Sequence, residues 1–325
     1  MGGNMIFTKW RHSLSVRIGL DHIDSNMPCQ DNAYYLCKNG VHVLALSDGA
    51  GSKKFSQIGS DTVTKAICSY LISEFDALSM ISEVYGKSEE EIEDSRKIVK
   101  NSIFNHLKKE LLDKVSGEVT FDDLACTLLF VAIKEGRYIM GHIGDGVIAG
   151  LFNSGKSETL KVLSHPENGE QINITFFLTD PDAIDHLRIT TGNFNHLTGI
   201  LLMSDGPEEV LYNSINGLHL NCLKLFDNFN SYSCSKYDII LEKFLSTQVA
   251  KYSYDDLSLN LLYLSSIDGS NASKELLEDF FIDITNKNQI IQRSSYGVFL
   301  DNAHKYKQRD NLSYILEGTR LNGKD

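Results

Sequence analysis

The sequence predicts an α+β protein in which helices cover a pair of antiparallel sheets. The first observation is the order of its periodicities. Alternating, strand-like runs come first, then two segments with apolar residues three and four apart, then strands, helices and a last strand. A chain of βαβ units would alternate the two types, whereas clustered strands and clustered helices pack as separate layers. The second observation is that several apolar runs halt at an acidic residue followed by glycine. Among them are Leu44-Ala45-Leu46-Ser47-Asp48-Gly49, His142-Ile143-Gly144-Asp145-Gly146 and Leu202-Met203-Ser204-Asp205-Gly206.

Residues 12–20 alternate apolar and polar side chains and read as a strand. Residues 32–37 and 41–46 are strands on either side of Lys38-Asn39-Gly40, a hairpin signal because Asn-Gly accepts the positive φ of a tight turn. After Gly51 the period lengthens: Ile58, Val63, Ala66, Ile67, Tyr70 and Leu71 share one face of a helix running to about Phe75. An acidic stretch over 87–94, a solvated helix start or a loop, leads to a second helix over 97–115. Its stripe is Val99, Ile103, Leu107, Leu111 and Val115, and the two helices are expected to pack antiparallel. Residues 127–133, 138–143 and 147–152 read as an antiparallel meander with Asp145 in a connection, and 173–178 and 200–203 as further strands. A helical stretch follows with Leu218, Leu223, Phe226, Ile239, Ile240, Phe244 and Leu245, and 257–264 is a largely apolar strand. Residues 265–272 have linker chemistry, and Ser273 caps an expected helix with Leu276, Leu277, Phe280, Phe281 and Ile284 on one face. The expected organisation is one domain over 1–264 and a C-terminal helical extension over 265–325 docked on it.

The chain has 325 residues, 42% hydrophobic and 23% charged, enough apolar side chains for a sizeable core. Its formal net charge of −12 is repelled by nucleic-acid backbones and anionic membranes and suits cations. No apolar run approaches a bilayer span, and the first residues have no basic and apolar leader pattern, so neither a membrane nor a nucleic acid is expected as a partner. The six cysteines (Cys29, Cys37, Cys68, Cys126, Cys222, Cys234) include no Cys-x-x-Cys pair, and the ten histidines show no zinc spacing. Reduced thiols in the cytoplasm are expected, without a nitrogen- and sulfur-ligated metal.

Alone, Asp-Gly is a turn, and the joint occurrence of several at strand ends carries the argument. Carboxylates gathered in a partly dry cleft repel one another strongly unless a divalent cation neutralises them. Glycine beside each acid permits close backbone approach to a ligand. All-oxygen ligation is the chemistry of Mg²⁺ or Mn²⁺. No Cys-x5-Arg or Ser-His-Asp arrangement offers a protein nucleophile.

The order and context of these motifs resemble the metal-dependent protein phosphatase 2C family, and more closely its bacterial branch, over residues 15–264. Gln30-Asp31-Asn32 is similar to the family's first acidic motif, Asp48-Gly49-Ala50-Gly51 to its Asp-Gly-x-Gly, and Ala125-Cys126-Thr127 to its small-residue strand start. Gly144-Asp145-Gly146 is similar to Gly-Asp-Ser, Ser204-Asp205-Gly206 to Ser-Asp-Gly, and Asp255-Asp256-Leu257-Ser258 to the closing Asp-Asn-x-Thr. The resemblance implies an antiparallel β-sandwich flanked by helix pairs, an α/β/β/α four-layer fold. It also implies a serine/threonine protein phosphatase that hydrolyses phosphomonoesters with a water bridging two Mg²⁺ or Mn²⁺ ions. On this resemblance Asp48 bridges the ions, the Gly49 carbonyl joins on one side, and Asp205 and Asp255 complete the other. Asp31 acts through metal-bound water, and Asp145 with Asp205 can hold a third ion. Asp31, Asp48, Asp205 and Asp255 are thereby the catalytic candidates. A phosphorylated protein is the implied substrate, and a cognate serine/threonine kinase a partner consistent with it.

The chain departs from the family pattern in places. Gln30 stands where many members carry glutamate. The phosphate-binding arginine would fall near Asn26 and is absent, leaving Lys53, Lys54 and Arg17 as stand-ins. Ala50 replaces a histidine that some members use as a proton donor, with His22 as a substitute. Asp310-Asn311-Leu312-Ser313 matches the closing motif locally as well as Asp255 does. Asp255 is favoured because its interval from Asp205 resembles the family's. With Asp310 as the ligand, 265–308 would instead be an insertion before a final strand at 310–316. A second functional reading, a weak or inactive phosphatase-like module that binds a phosphoprotein or kinase, follows from the missing arginine and Gln30.

Overall fold

The computed structural model describes residues 6–82, 88–155, 157–167, 175–215, 217–229, 231–268 and 291–294. The chain begins with β1 (Ile6–Arg17) and a short helix, α1 (Leu20–Asp24). The hairpin of β2 (Asn32–Lys38) and β3 (Val41–Ser47) closes through Asn39 and Gly40 at φ 53° and 78°, the double positive φ that suits the strands' right-handed twist. A long helix pair follows, α2 (Ser56–Ile81) and α3 (Glu89–Leu112), and then β4 (Leu128–Lys134), β5 (Arg137–Ile143), β6 (Val147–Asn153) and β7 (Glu158–Ser164). After α4 (Ala183–His186) come β8 (Arg188–Asn193), β9 (Leu197–Met203), α5 (Glu208–Leu211) and a ribbon of β10 (Tyr212–Asn213) and β11 (Gly217–Leu218). Helices α6 (Asn221–Phe229) and α7 (Cys234–Phe244) precede β12 (Leu257–Asp268) and β13 (Ile291–Ser294).

Two antiparallel sheets result, ordered β13-β2-β3-β4-β5-β8 and β1-β12-β9-β6-β7. Strand alternation sorts their side chains into three apolar layers. Tyr34, Val43, Ala45 and Phe130 of the first sheet pack against Ile67, Leu71, Phe75, Ile103 and Leu107 of α2 and α3. Their in-between neighbours Ala33, Leu44, Leu46 and Val131 turn the other way, onto Leu14, Ile148, Ile200, Leu202 and Leu262 of the second sheet. That sheet's outer face carries Leu151, Leu201, Leu259 and Leu261 against Phe226, Phe229 and Leu241 of α6 and α7. Each sheet is covered on both faces, which explains why β4 is apolar almost throughout, and the α/β/β/α order is the expected one.

Several elements differ from the expectation. Residues 127–152 are not a meander: β4 and β5 pair in one sheet, but β6 pairs with β7 and β9 in the other, so the chain changes sheets at Gly144-Asp145-Gly146. The described part of 173–178, residues 175–178, forms no strand, while β7 and β8 were not foreseen. α3 begins eight residues early because Ser88 and Glu91, the last of three first-turn glutamates, form a reciprocal capping box, and it ends before Val115, which is exposed. α2 continues past Phe75 to Ile81. The expected linker from 265 starts late, since β12 pairs with β1 as far as Ile6 opposite Asp268. β13 adds to the edge of β2. The expected helix after Ser273 and the segment 310–316 lie outside the described residues.

Candidate metal centre

The strand ends bring the predicted acids to one end of the sandwich. β3 ends at Ser47 and delivers Asp48, whose backbone is clamped by Thr127. The Asp48 N–H donates to Thr127 Oγ1 at 2.9 Å, and the Thr127 N–H donates to the Asp48 carbonyl at 2.8 Å. β9 ends at Met203 and delivers Asp205, the sheet change delivers Asp145, and Asp255 precedes β12, the strand paired with β9. Close backbone approach at the turns explains two of the glycines. A Cβ on Gly49 would lie 2.9 Å from the Gln30 carbonyl oxygen, and one on Gly206 2.1 Å from that of Asp256.

Carboxylate oxygens of Asp48, Asp145 and Asp205 lie within 4.8 Å of one another. Burial pushes the Asp48 carboxyl well above the usual carboxylate range, and the charges of Asp31, Asp205, Asp145 and Asp255 push it further. Asp205 is pushed up to about 7, first by burial and then by Asp145 and Asp255. Asp145 is raised by burial, against a hydrogen bond from the Thr175 hydroxyl that holds the anion. Asp255, exposed at the rim, is still raised by partial burial of its carboxyl, against a hydrogen bond from the Asp256 N–H at 2.7 Å that holds the anion. Asp31 is raised by burial and by Asp256 and Asp205, an effect partly offset by serine hydroxyls. A relay holds it in place: Ser258 N–H donates to Ser204 Oγ at 3.1 Å, and Ser204 Oγ–H donates to Asp31 Oδ2 at 2.9 Å. Hard oxygen donors that repel one another this strongly fit a divalent cation such as Mg²⁺ or Mn²⁺.

Asp256 was not singled out from the sequence and has a different environment. Its carboxylate, 2% exposed, accepts from the backbone N–H of Gly19 at 2.7 Å and Gln30 at 2.6 Å, with a longer 3.4 Å contact from Asp31 N–H. His22 Nδ1 stands 3.0 Å from it. An acid in the second position of the closing motif, where the family pattern has asparagine, was the available signal. Thr175 is silent in the sequence, since hydroxyls are common everywhere, whereas Thr127 and Ser204 stand in the quoted motifs without a role assigned to them. Gln30 donates from Nε2 to the Lys53 carbonyl at 3.1 Å, and its backbone carbonyl oxygen receives the Ser60 hydroxyl at 2.6 Å. The three stand-in cations all face carboxylates: Lys53 pairs with Asp122, Lys54 with Glu118 at 3.2 Å and Arg17 with Glu242 at 3.8 Å. Asp310 lies outside the described residues.

A family model described as Protein phosphatase 2C matches residues 18–246. The chain is 24% identical over 258 residues to Serine/threonine-protein phosphatase 3 of Escherichia coli (strain K12), covering 76% of this chain and 95% of that one. Among solved structures, serine-threonine phosphatase 2C from Toxoplasma gondii is similar with a TM-score of 0.54 at 11% identity, covering 81% of this chain and all of that one (100%). The S. agalactiae serine/threonine phosphatase gives 0.51 at 16% identity, covering 79% and 100%. These two likenesses speak for the fold, and the family model, which spans more than half the sequence, speaks for descent. The chain belongs to the protein phosphatase 2C family and is a serine/threonine phosphatase by class.

Proposed function

We propose that this phosphatase hydrolyses phosphoserine and phosphothreonine in proteins, using two Mg²⁺ or Mn²⁺ ions held by Asp48, the Gly49 carbonyl, Asp205 and Asp255, with Asp31 and Asp145 beside them. The observation that carries the reading is the convergence of Asp48, Asp145 and Asp205 to within 4.8 Å. When bound, the ions supply Lewis acidity, which activates a water and offsets charge on the phosphate oxygens. The chain's own part is to hold its donors still. Thr127 fixes the backbone of Asp48 on both sides, Ser204 orients Asp31, and the Thr175 hydroxyl orients Asp145.

We place the catalytic domain in 1–264, with its last strand running on to Asp268, and a docked extension in the rest of 265–325. Support for docking comes from β13, which lies on the edge of β2. No disulfide joins the six cysteines, and Cys68, Cys126 and Cys222 are buried, which supports a reducing cytoplasmic setting. No helix among the described residues is long and apolar enough to cross a membrane. A kinase that phosphorylates the same substrates is the partner that fits this activity. The test is phosphate release from p-nitrophenyl phosphate and a phosphothreonine peptide with and without Mn²⁺. Hydrolysis is expected only with the metal, and turnover that persists in excess EDTA overturns the reading.

A further inference from the structure

One wall of the carboxylate cluster carries more apolar surface than the fold requires. α1 lies against residues 251–255: the Asp21 N–H donates to the Tyr254 carbonyl at 3.1 Å, and the charges of Asp21 and His22 act on Asp255. Here Leu20 is 41% exposed, Ile23 49%, Tyr252 62% and Tyr254 66%, four of the ten large exposed hydrophobics among the described residues. Scattered exposed apolar side chains need no explanation, but four in two short segments beside a reaction centre mark an interaction surface.

The charges of the same segments narrow the occupant. Asp21 and Asp24 are exposed, against a single lysine, Lys251, and His22 is turned inward onto Asp256. Tyrosine faces attract guanidinium and ammonium groups. Leucine and isoleucine suit the aliphatic stems of arginine and lysine, whose heads then reach the carboxylates. A peptide rich in acids would meet repulsion from the wall and from the net charge of −12.

We propose that α1 and residues 251–255 read the peptide around the phosphorylated side chain and select arginine and lysine there. This rests on the phosphatase function proposed above and adds a substrate class to it. The occupant is a basic phosphopeptide segment, continuous with the phosphate in the metal centre.

The test compares three substrates with the full chain and Mn²⁺: p-nitrophenyl phosphate, a phosphothreonine peptide flanked by arginines, and the same peptide flanked by glutamates. The arginine peptide is expected to have a kcat/KM about ten-fold above the glutamate peptide, by combining cation–π and ion-pair contributions. Added salt should narrow that gap. Tyr252→Ser with Tyr254→Ser, and separately Asp21→Asn with Asp24→Asn, should each narrow it too while turnover of p-nitrophenyl phosphate stays unchanged. Equal or inverted peptide preference with normal p-nitrophenyl phosphate turnover overturns the selectivity and leaves the phosphatase reading standing. A wild-type chain inert on all three substrates overturns the phosphatase reading itself, and this inference with it. Loss of p-nitrophenyl phosphate turnover in both double variants would make the wall part of the metal centre and overturn the assignment as a peptide reader.

Discussion

Asp48 and Asp256 are both recessed carboxylates at the same end of the sandwich, and both feel the charge of Asp31, but they differ in what their oxygens meet. Asp256 is ringed by donors, two close backbone N–H groups and a third at longer range, with the His22 ring 3.0 Å away. The charges acting on Asp48 most strongly come from four other carboxylates. A carboxylate surrounded by donors ties segments together, and losing it strands those donors. A carboxylate surrounded by its own kind keeps lone pairs free and holds repulsion that a cation relieves. The difference separates fold from chemistry within a few residues of sequence, because Asp255 and Asp256 are neighbours and fall on opposite sides of it.

The largest expected effect tests the repelling half. Asp48→Asn and Asp205→Asn should each lower Mn²⁺-dependent phosphate release by at least about 100-fold, as removal of a key charge-stabilising group does. Without metal each should raise stability by about 1 kcal/mol, or roughly 2–4 °C in Tm. Wild-type turnover, or an apo Tm that falls, would remove Asp48 and Asp205 from the frustrated cluster. Next, Asp255→Ala should be nearly inactive and bind Mn²⁺ weakly by titration calorimetry, whereas Asp310→Ala should keep both properties. The reverse result would move the last ligand to Asp310.

Asp256→Ala tests the satisfied half. Stranding the Gly19 and Gln30 N–H groups should cost about 3 kcal/mol in urea unfolding, at 1–3 kcal/mol per orphaned group. Asp256→Asn, which keeps an acceptor oxygen, should cost less, and equal losses would mean that charge and not hydrogen bonding holds the loop. The smallest effect concerns His142, whose Nδ1 meets the Ser164 hydroxyl at 2.8 Å and Arg188 at 2.9 Å. Burial, followed by the Arg188 charge, holds its pKa well below the ordinary value. The unfolded chain takes up the proton near pH 6.5. This contribution is therefore complete above that pH and lost as pH falls through it, by up to about 1.4 kcal/mol per unit. His142→Gln should flatten that slope in unfolding curves at pH 5 and pH 7.

The hairpin, the two long helices and the acidic strand ends were legible because each is a local pattern: Asn39-Gly40 in the turn, the stripe from Val99 to Leu111, and an apolar run broken by Asp48 or Asp205. The sheet change at Asp145 was not legible. Strand, turn and strand look alike whether the second strand returns to its neighbour or leaves for another sheet, and only long-range pairing of β6 with β9 decides it. β7 escaped notice as an edge strand with exposed Glu158, Thr159 and Lys161. Asp256 escaped because its donors come from Gly19 and Gln30, more than 220 positions away.

The place of β1 has a consequence for how the chain is made. Among the described residues it lies at the edge of its sheet, hydrogen-bonded to β12 alone, with Arg17 opposite Leu257. During synthesis β1 therefore waits for about 240 residues before its partner exists, tens of seconds at roughly 5–20 residues per second. During that interval its unpaired backbone is open to other chains. Burial of that edge comes late, so the nascent chain calls for shielding until synthesis has passed Leu257.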